Sequence, residues 1–459
     1  MNRYFAFIAA NLFFSFLNAQ LQLGVIKNDG TAAEGYILFA PLNGKVTYLI
    51  DRCGREINTW TSRYRPGQSA YLLPNGDLLR CGNDTTNSFY SAAGRIEKFD
   101  WKGNLLWSYG ISTPTSCLHH DVWPMPNGNI LALLWEKKTV AEAVAMGRRP
   151  DMTEKNVWIE KIIELKPEGK SGAKIVWEWN VCDHLVQDVN PALPNYGEVA
   201  KNPQLVHVNY NIKKEEDWLH FNSITYNEDL DQVLVSNRNF CEFYILDHST
   251  TTSQAASHNG GKYKKGGDIL YRWGNPEAYN CGSAADKVLY WQHTVQWIPK
   301  GLTDGGKIIV FNNGTMRKTE KAYSSVEIIE PPVDDKGNYK VNPGQAFLPR
   351  TPYWSSKEVM FDSFYSVNVS SAQRLPNGNT LICEGAQGRF LEINPSGKTV
   401  WSYVNPVTQK GIAGPEAKFI ENQVFRCVFY DANHPAFKKR KLTPGLPVEP
   451  GSEKRPCLR

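Results

Sequence analysis

The chain has 459 residues, more than one ordinary domain holds, so either several domains or an all-β repeat architecture is expected. Tryptophan (14), tyrosine (21), phenylalanine (20), glycine (36) and proline (27) are plentiful, which favours strands and turns over helices. The net charge of +5 is small and the basic residues are scattered until FKKRK near the C-terminus, which argues against a nucleic-acid-binding surface.

The first 19 residues have the features of a secretory signal peptide. Arg3 provides a positive start, residues 4–16 form an apolar stretch, and residues 17–19 (Leu-Asn-Ala) form a cleavage site. The apolar stretch is too short to span a bilayer, and no cysteine follows the cut for lipid attachment. We therefore expect a periplasmic or secreted protein without a membrane anchor, in which residues 20–34 form a short segment before the first repeat.

From residue 35 to residue 432 one unit recurs about six times. Each unit has a strand, a turn at Pro-Asn-Gly or a substitute, a returning strand, a third strand that ends in a glycine turn, and a fourth that often carries tryptophan. The units contain GYILFAPLNG (35–44), YLLPNGDLLR (71–80), WPMPNGNILALL (123–134), ITYNEDLDQVLVS (224–236), VQWIPKGLTDGGKIIVF (295–311) and AQRLPNGNTLICE (372–384). This arithmetic predicts an all-β catalytic domain, a six-bladed β-propeller with four-stranded blades and a central channel.

A strand-like segment, VFRCVFYDA at 424–432, remains after the sixth unit. We expect it to complete the first blade and so close the ring, which leaves residues 433–459 as a C-terminal tail. Polar insertions at 136–161, 181–219 and 250–267 are expected to form loops.

The cysteines occur singly, and the absence of any Cys-x-x-Cys pair excludes a zinc knuckle or a thioredoxin-like motif. An exported protein can pair some of its cysteines, and an odd number leaves at least one unpaired within a monomer. The sequence does not determine the pairing among Cys53, Cys81, Cys117, Cys182, Cys241, Cys281, Cys383, Cys427 and Cys457.

The repeat aligns polar residues at one position of the first strand. Six residues before the turn proline of four units lie Gln68, His120, His293 and Ser370. The fourth unit lacks this proline, and its apolar alternation aligns Asn222, with His220 one strand pitch earlier on the same face. Because the first strand of each blade lines the channel, these residues should form a ring at one mouth.

The returning strand of the fourth unit ends at VSNRNF, so hairpin geometry should bring Arg238 to the level of His220 and Asn222. His119, next to His120, should point the other way in a strand and support it from behind. The other histidines are expected to be structural: His184, His207, His248, His258 and His434.

A tetrahedral oxyanion can be bound by imidazoles, a guanidinium and an amide that lie together at one mouth of the channel. Three histidines first suggest zinc, but arginine and an amide are unusual neighbours for a metal, and no carboxylate is evident in the group. Arginine offers a rigid fork to two oxygens, and a neutral imidazole can act as a nucleophile. The pattern predicts sulfuryl or phosphoryl transfer through a histidine adduct, with no metal and no cofactor.

Three segments carry a resemblance to a known family: WLHFNSITYNEDLDQVLVSNRN (218–239), HHDVWPMPNGN (119–129) and WQHTVQWIPKG (291–301). Over about residues 35–430 the chain resembles the bacterial arylsulfate sulfotransferases, and its most specific feature is H-x-N followed by arginine eighteen residues after the histidine. Those proteins are exported six-bladed propeller enzymes that move a sulfuryl group between phenols without a nucleotide donor.

The resemblance implies a ping-pong mechanism with a transient sulfohistidine at His293. It implies that His220, Asn222, Arg238 and His120 stabilise the transferred group, and that His220 or His120 protonates the leaving phenolate. The implied partners are phenolic sulfate donors and phenol acceptors.

Contacts to the aromatic substrate are expected from His119, Phe221 and Trp291, with Trp123, Tyr290, Trp354 and Tyr365 as further aromatic candidates. The short region before the first unit predicts that the N-terminal dimerisation domain of the best-known members is absent, so no oligomer is implied.

Three other functions remain open from the sequence. An aryl sulfatase-like hydrolase would use water as the acceptor, although the Cys-x-Pro-x-Arg signature of formylglycine sulfatases is missing. A non-catalytic propeller would bind sulfate or a sulfated ligand with the same ring. A quinoprotein dehydrogenase would need converging calcium-binding carboxylates, and an acid–base phosphodiesterase has the least support.

Overall fold

The computed structural model describes residues 22–84, 93–210, 216–319, 321–360, 364–413, 421–450 and 457. The predicted signal peptide lies outside the described residues. Six small antiparallel sheets are arranged as a six-bladed β-propeller, which confirms the predicted fold class.

The strands follow one another in the order that the repeat predicts. The chain begins with β1 (Gly24–Asn28), β2 (Gly35–Pro41), β3 (Val46–Ile50) and β4 (Glu56–Thr61). Blade 2 consists of β5 (Pro66–Leu72), β6 (Leu78–Asn83), β7 (Gly94–Phe99) and β8 (Leu105–Gly110). Blade 3 consists of β9 (Ser116–Pro124), β10 (Ile130–Lys138), β11 (Val157–Glu168) and β12 (Gly172–Asn180).

The second half repeats this plan. Two short parallel strands, β13 (Leu185–Val186) and β14 (Val206–His207), precede blade 4, which consists of β15 (Phe221–Asn227), β16 (Gln232–Asn237), β17 (Glu242–Asp247) and β18 (Tyr271–Trp273). Blade 5 consists of β19 (His293–Trp297), β20 (Ile308–Asn312), β21 (Ser325–Ile329) and β22 (Trp354–Ser355). Blade 6 contains β23 (Ser371–Arg374), β24 (Thr380–Glu384), β25 (Arg389–Ile393) and β26 (Thr399–Val404), and the chain continues through β27 (Val407–Thr408), β28 (Gly411–Ile412) and β29 (Val424–Asp431).

Helices are short and lie between strands. The α-helices are α1 (Val140–Ala145), α2 (Thr252–Ala255) and α3 (Lys357–Met360). The 3-10 helices are Pro150–Met152, Val181–His184, Val199–Lys201, Pro276–Tyr279, Ala284–Asp286, Gly385–Gln387 and Pro435–Phe437. The first insertion is therefore partly regular, because β10 and β11 extend into it and α1 lies between them.

The last strand closes the ring, and the first strand extends the last blade. Strand β29 pairs antiparallel with β2 and becomes the innermost strand of blade 1, which has the order β29-β2-β3-β4. The predicted closure by the last strand is thus confirmed. Strand β1 pairs with β26 and adds a fifth strand to blade 6, in a segment for which the sequence predicted no element.

The inner strands form the wall of the channel. Around the ring β5, β9, β15, β19, β23 and β29 each contact the next, and β29 contacts β5. Apolar side chains from the blade faces pack between neighbouring blades, and the largest of those that are fully buried include Trp60, Trp135, Trp179 and Trp401. This packing sets the positions at which the inner strands present polar residues to the channel.

One buried carboxylate joins four blades at the channel. Asp121 of blade 3 accepts hydrogen bonds from the Tyr71 hydroxyl (2.8 Å), the Arg426 Nη2 (2.8 Å) and the Ile224 backbone N–H (3.1 Å). These partners belong to blades 2, 1 and 4, and Arg426 also contacts the Tyr71 hydroxyl. We call Asp121, Tyr71 and Arg426 the hub.

A disulfide joins Cys53, in the β3–β4 turn, to Cys457 near the C-terminus. The other seven cysteines, all within the described part of the chain, form no disulfide in the structure. Within the described residues, no helix is long and apolar enough to cross a membrane.

We expect Arg426→Met to reduce the free energy of unfolding by about 3–5 kcal/mol, because it leaves the Asp121 charge buried without its ion partner. Urea denaturation at neutral pH measures the loss. The control is Arg149→Met, which breaks the exposed pair with Asp151 and should cost less than about 1 kcal/mol. Equal small losses for both variants would contradict the role of the hub.

Candidate active site

The predicted ring residues lie at bulges of the inner strands. The pairing register between inner and second strand shifts between Leu118 and Val122, between Phe221 and Ser223, and between His293 and Val295. Positive φ angles occur there at His120 (49°), His220 (60°) and Thr294 (48°), and at the equivalent Gln68 (99°) and Ser370 (93°). A bulge interrupts the alternation of a strand and re-aims its side chains, so neighbours such as His119 and His120 need not face opposite sides.

The structure brings the histidines of blades 3 and 4 together. The ring centroids of His120 and His220 are 4.6 Å apart. Phe425, from the closing strand, lies near both His120 (6.2 Å) and His293 (6.5 Å). We call His120, His220, Asn222, Arg238 and His293 the channel-mouth group.

His119 supports His120 from behind, as predicted from the sequence, but through direct contact. Its Nδ1 is 3.0 Å from the Nδ1 of His120, and its ring stacks on Trp135 at 4.1 Å. Its Nε2 is 3.0 Å from a Glu160 carboxylate oxygen, although this contact does not count as a hydrogen bond. Trp135 donates to the other Glu160 oxygen at 2.9 Å, so a buried carboxylate and an indole hold the His119 ring.

His220 is paired with a carboxylate that the sequence analysis missed. Its Nδ1 is 2.5 Å from Oδ2 of Asp217, three residues earlier in the chain. Burial opposes ionisation of Asp217, but the His220 imidazole and the Arg238 charge lower its pKa below the ordinary value. The expectation that no carboxylate lies in the group is therefore wrong, and the Asp-x-x-His spacing was the available signal.

His293 has a defined tautomer. Its Nδ1 faces two acceptors, the Asn313 side-chain oxygen at 2.8 Å and the Trp291 carbonyl at 3.2 Å. The orientation of the Asn313 amide follows from its nitrogen, which donates to the carbonyls of Ser366 and Val369. Nδ1 must therefore carry the proton, and Nε2 of the neutral ring keeps its lone pair.

Arg238 lies where the hairpin argument placed it. Its backbone N–H donates to the His220 carbonyl at 3.2 Å, and its guanidinium stacks 3.7 Å from the centre of the Trp291 ring. Asn222 is fully buried, and its amide nitrogen donates to the Gln292 carbonyl while its oxygen has no partner within the described part of the chain. The Asn222 oxygen can therefore accept a hydrogen bond from a ligand, and Arg238, whose Nη1 also donates to the Asn239 side-chain oxygen, brings a positive charge to the group.

The environment keeps two of the histidines neutral. Burial lowers the pKa of His293 well below the ordinary 6.5, and the Arg238 charge lowers it further. Burial likewise lowers the pKa of His120 well below its ordinary value, and positive charge on its neighbours, Arg238 among them, opposes its protonation further. At neutral pH the group therefore combines the uncharged imidazoles of His120 and His293 with the fixed guanidinium charge of Arg238.

The predicted aromatic contacts divide into two groups. Trp291 lies under Arg238 and within the site. Phe221 is fully buried and packs near Trp179 and Tyr244, so the structure places its ring in the core between blades and not with the histidines. The sequence missed Phe425 because this residue reaches the channel only through the ring closure.

A cavity lies at the opposite mouth of the channel. Its volume is about 890 Å³, and its lining includes Trp123, Met125, Trp297, Arg374 and Tyr430. None of the channel-mouth group lines it. The polar cluster and this cavity are therefore separate sites, and the side chains of the cluster make it the better candidate for a reaction.

Comparison with known proteins gives one family. The model of the arylsulfotransferase (ASST) family matches residues 25–413. No curated protein matches the chain.

Solved structures with similar folds are distant in sequence. A protein of unknown function from Bacteroides caccae has a TM-score of 0.48 at 10% identity, with 86% of this chain and 98% of that chain covered. The periplasmic gluconolactonase of Pseudomonas aeruginosa has a TM-score of 0.38 at 10% identity, with 81% and 96% covered. Virginiamycin B lyase from Staphylococcus aureus has a TM-score of 0.34 at 11% identity, with 84% and 90% covered.

Arg238→Gln should raise the pKa of His293 and of His120, because it removes a positive charge that disfavours the imidazolium forms. NMR titration of protein labelled at histidine measures the shift. His248 is the internal control: its carboxylate partners Asp231 and Glu164 raise its pKa to about 9 despite its burial. Unchanged values for His293 and His120 would show that Arg238 does not act on the group electrostatically.

Proposed function

This chain belongs to the arylsulfotransferase family, and on that premise we propose that it moves a sulfuryl group from a phenolic sulfate ester to an acceptor phenol through a sulfohistidine at His293. The observation that carries the proposal is the state of His293. Its Nδ1–H is held by Asn313 and Trp291, its pKa is lowered, and its Nε2 has no hydrogen-bond partner among the described residues. A neutral imidazole with a free lone pair beside a guanidinium suits attack on a sulfate ester.

In the first half-reaction the Nε2 lone pair of His293 attacks sulfur. An N–S bond forms, the S–O bond to the phenol breaks, and the phenolate leaves with the electron pair. The adduct places positive charge on the imidazole ring, and the Asn313 and Trp291 oxygens at Nδ1–H stabilise that charge.

His220 is the better proton donor to the leaving phenolate. The Asp217 carboxylate at 2.5 Å stabilises an imidazolium at His220 and orients the ring through Nδ1. Within the described ranges no carboxylate lies at hydrogen-bond distance from His120, and its pKa is strongly lowered, so it acts as a neutral hydrogen-bonding neighbour. In the second half-reaction His220 accepts the proton of the acceptor phenol, whose oxygen attacks sulfur and returns the N–S electron pair to His293.

Arg238 stabilises the oxygens of the transferred group, and the second N–H of the Asn222 amide, whose first N–H donates to the Gln292 carbonyl, can donate to one of them. A guanidinium can bind two sulfuryl oxygens, and its position on the Trp291 ring orients its plane. The Trp291 and Phe425 rings beside the group suit an aromatic donor and acceptor. A phenolate, with a pKa near 10 for its acid, is also a better leaving group than an alkoxide, which favours aryl esters.

We also propose that the protein acts outside the cytoplasm. The N-terminal sequence and the Cys53–Cys457 disulfide both support export, since disulfides persist in oxidising compartments. N-terminal sequencing of the expressed protein should find a chain that begins at Gln20 in the periplasm or medium. An intact N-terminus confined to the cytoplasm would contradict export.

His293→Ala should reduce the release of nitrophenolate from 4-nitrophenyl sulfate at least about 1000-fold, because the nucleophile is removed. Wild-type release should require added phenol and produce phenyl sulfate. The wild type quenched without acceptor should carry one sulfuryl group on the peptide that contains His293. The control is His434→Ala, a partly exposed histidine in the C-terminal segment, which should retain full activity.

Other outcomes of the same assay separate the alternatives. Release that does not depend on phenol indicates an aryl sulfatase-like hydrolase. Binding of 4-nitrophenyl sulfate without any turnover indicates a non-catalytic binding propeller.

His220→Gln should slow phenyl sulfate more than 4-nitrophenyl sulfate, because the less acidic phenol depends more on protonation as it leaves. We expect a loss of about 100-fold or more for phenyl sulfate and a clearly smaller loss for the nitrophenyl ester. The comparison of kcat/KM for the two donors measures the effect. Equal losses would mean that His220 positions the donor and does not protonate the leaving group.

A further inference from the structure

We propose that His184, His258 and Asp268 form a binding site for a divalent transition-metal ion of the zinc class, separate from the channel-mouth group. The site joins two insertions. His184 ends the 3-10 helix Val181–His184 after blade 3, whereas His258 and Asp268 belong to the segment between β17 and β18 of blade 4. From the sequence, both histidines are predicted to be structural, and no metal is expected.

The three ligand atoms meet at one point. Oδ1 of Asp268 is 2.9 Å from Nδ1 of His184 and 2.7 Å from Nδ1 of His258. Among the described residues, this is the group of three histidine and carboxylate side chains whose ligand atoms all lie within 4.8 Å of one another. Two imidazole nitrogens and one carboxylate oxygen are typical ligands of zinc.

The hydrogen bond of Nε2 of His184 leaves Nδ1 as the ring nitrogen that can bind a metal. Nε2 lies 2.8 Å from the Ala255 carbonyl, so Nε2 must carry a proton and donate it. With both ring nitrogens protonated, His184 forms an ion pair with Asp268; with Nδ1 deprotonated, its lone pair and the Asp268 oxygen can bind a cation together. A histidine ligand commonly donates its other N–H to a backbone carbonyl, as His184 does.

The surroundings hold His184 in this orientation. Its ring stacks parallel to Trp179 at 5.4 Å, and the Trp179 indole donates to the Gly267 carbonyl at 2.7 Å. A side chain at Gly267 would place its Cβ 2.6 Å from Nε2 of His184 and 2.0 Å from the Ala255 oxygen. Only glycine therefore allows the backbone next to Asp268 to approach the imidazole so closely.

The site has an open side. The His258 side chain is 56% exposed, whereas that of His184 is fully buried and that of Asp268 is 8% exposed. In a tetrahedral zinc site with bonds of about 2.0–2.1 Å, ligand atoms lie about 3.3 Å apart, so both contacts of the Asp268 oxygen must lengthen by about half an ångström when a metal binds. A water molecule would complete the tetrahedron from the open side.

Imidazole ligands select the metal. Zinc and its neighbours in the transition series bind nitrogen well, whereas calcium and magnesium prefer carboxylate, carbonyl and water oxygens. Bound metal would tie the segment that carries His258 to the end of blade 3. We therefore assign the site a structural role at the contact between blades 3 and 4.

The experiment uses the full-length protein after dialysis against EDTA. Isothermal titration with Zn²⁺ should show one equivalent bound per chain, and Co²⁺ should give the visible absorption of a tetrahedral site. His258→Ala is the main variant, because an exposed side chain can be removed without unfolding the protein. It should weaken Zn²⁺ binding at least about 100-fold, since loss of an outer-shell partner alone costs about 10- to 100-fold.

Asp268→Asn should have the same effect as His258→Ala, and the control His434→Ala should bind as the wild type does. His293→Ala locates the ion: the proposal requires that this variant still binds one equivalent. Zn²⁺ binding that persists in His258→Ala, or that is lost in His293→Ala, would overturn the proposal, as would the absence of Zn²⁺ binding by the wild type. Excess Ca²⁺ or Mg²⁺ should not displace Zn²⁺, and displacement by either would also contradict the assignment.

Discussion

The buried charge of Asp121 is the interaction on which the architecture of the channel depends. A carboxylate removed from water is costly unless a counter-charge and hydrogen-bond donors surround it. Here the donors come from Tyr71, Ile224 and Arg426, which belong to three other blades. Arg426 lies on the last strand, which completes the first blade. The strand that closes the ring therefore also supplies the counter-charge of Asp121. The same strand brings Phe425 beside His120 and His293, and the site is therefore incomplete without closure.

The polar cluster also depends on local departures from regular strand geometry. Positive φ angles are costly for residues other than glycine, although histidine tolerates them better than most. They occur at His120 and His220, where the inner strands bulge beside the hub. The blades on either side hold these bulges in place, and the resulting burial keeps His120 and His293 uncharged. Strain, burial and reactivity thus have a common origin in the way the inner strands are packed.

The tautomers of two histidines are fixed in the same way, by an acceptor that holds the N–H of one ring nitrogen. In His293 the Nδ1–H is held by Asn313 and a carbonyl, which leaves Nε2 for a substrate. In His184 the Nε2–H is held by the Ala255 carbonyl, which leaves Nδ1 for a metal ion. The difference lies in the neighbours: Arg238 stands beside the first and favours an anion, whereas Asp268 faces the second and favours a cation. The charge of the neighbouring residue therefore distinguishes the proposed nucleophile from the proposed metal ligand.

The sequence by itself determined the number of blades, the closing strand and the repeat position that carries His120 and His293, because these follow from turn residues and from strand periodicity. It also placed Arg238 at the level of His220, since a hairpin returns by a known number of residues. Only the tertiary structure decided that Asp217 pairs with His220, that Glu160 stands behind His119, and that Phe221 lies in the core. Bulges break the period of two on which sequence reasoning depends, and contacts between blades join residues that are distant in the chain. The site depends on both effects. The repeat positions of its residues could therefore be predicted from the sequence, whereas the side chains that contact them could not.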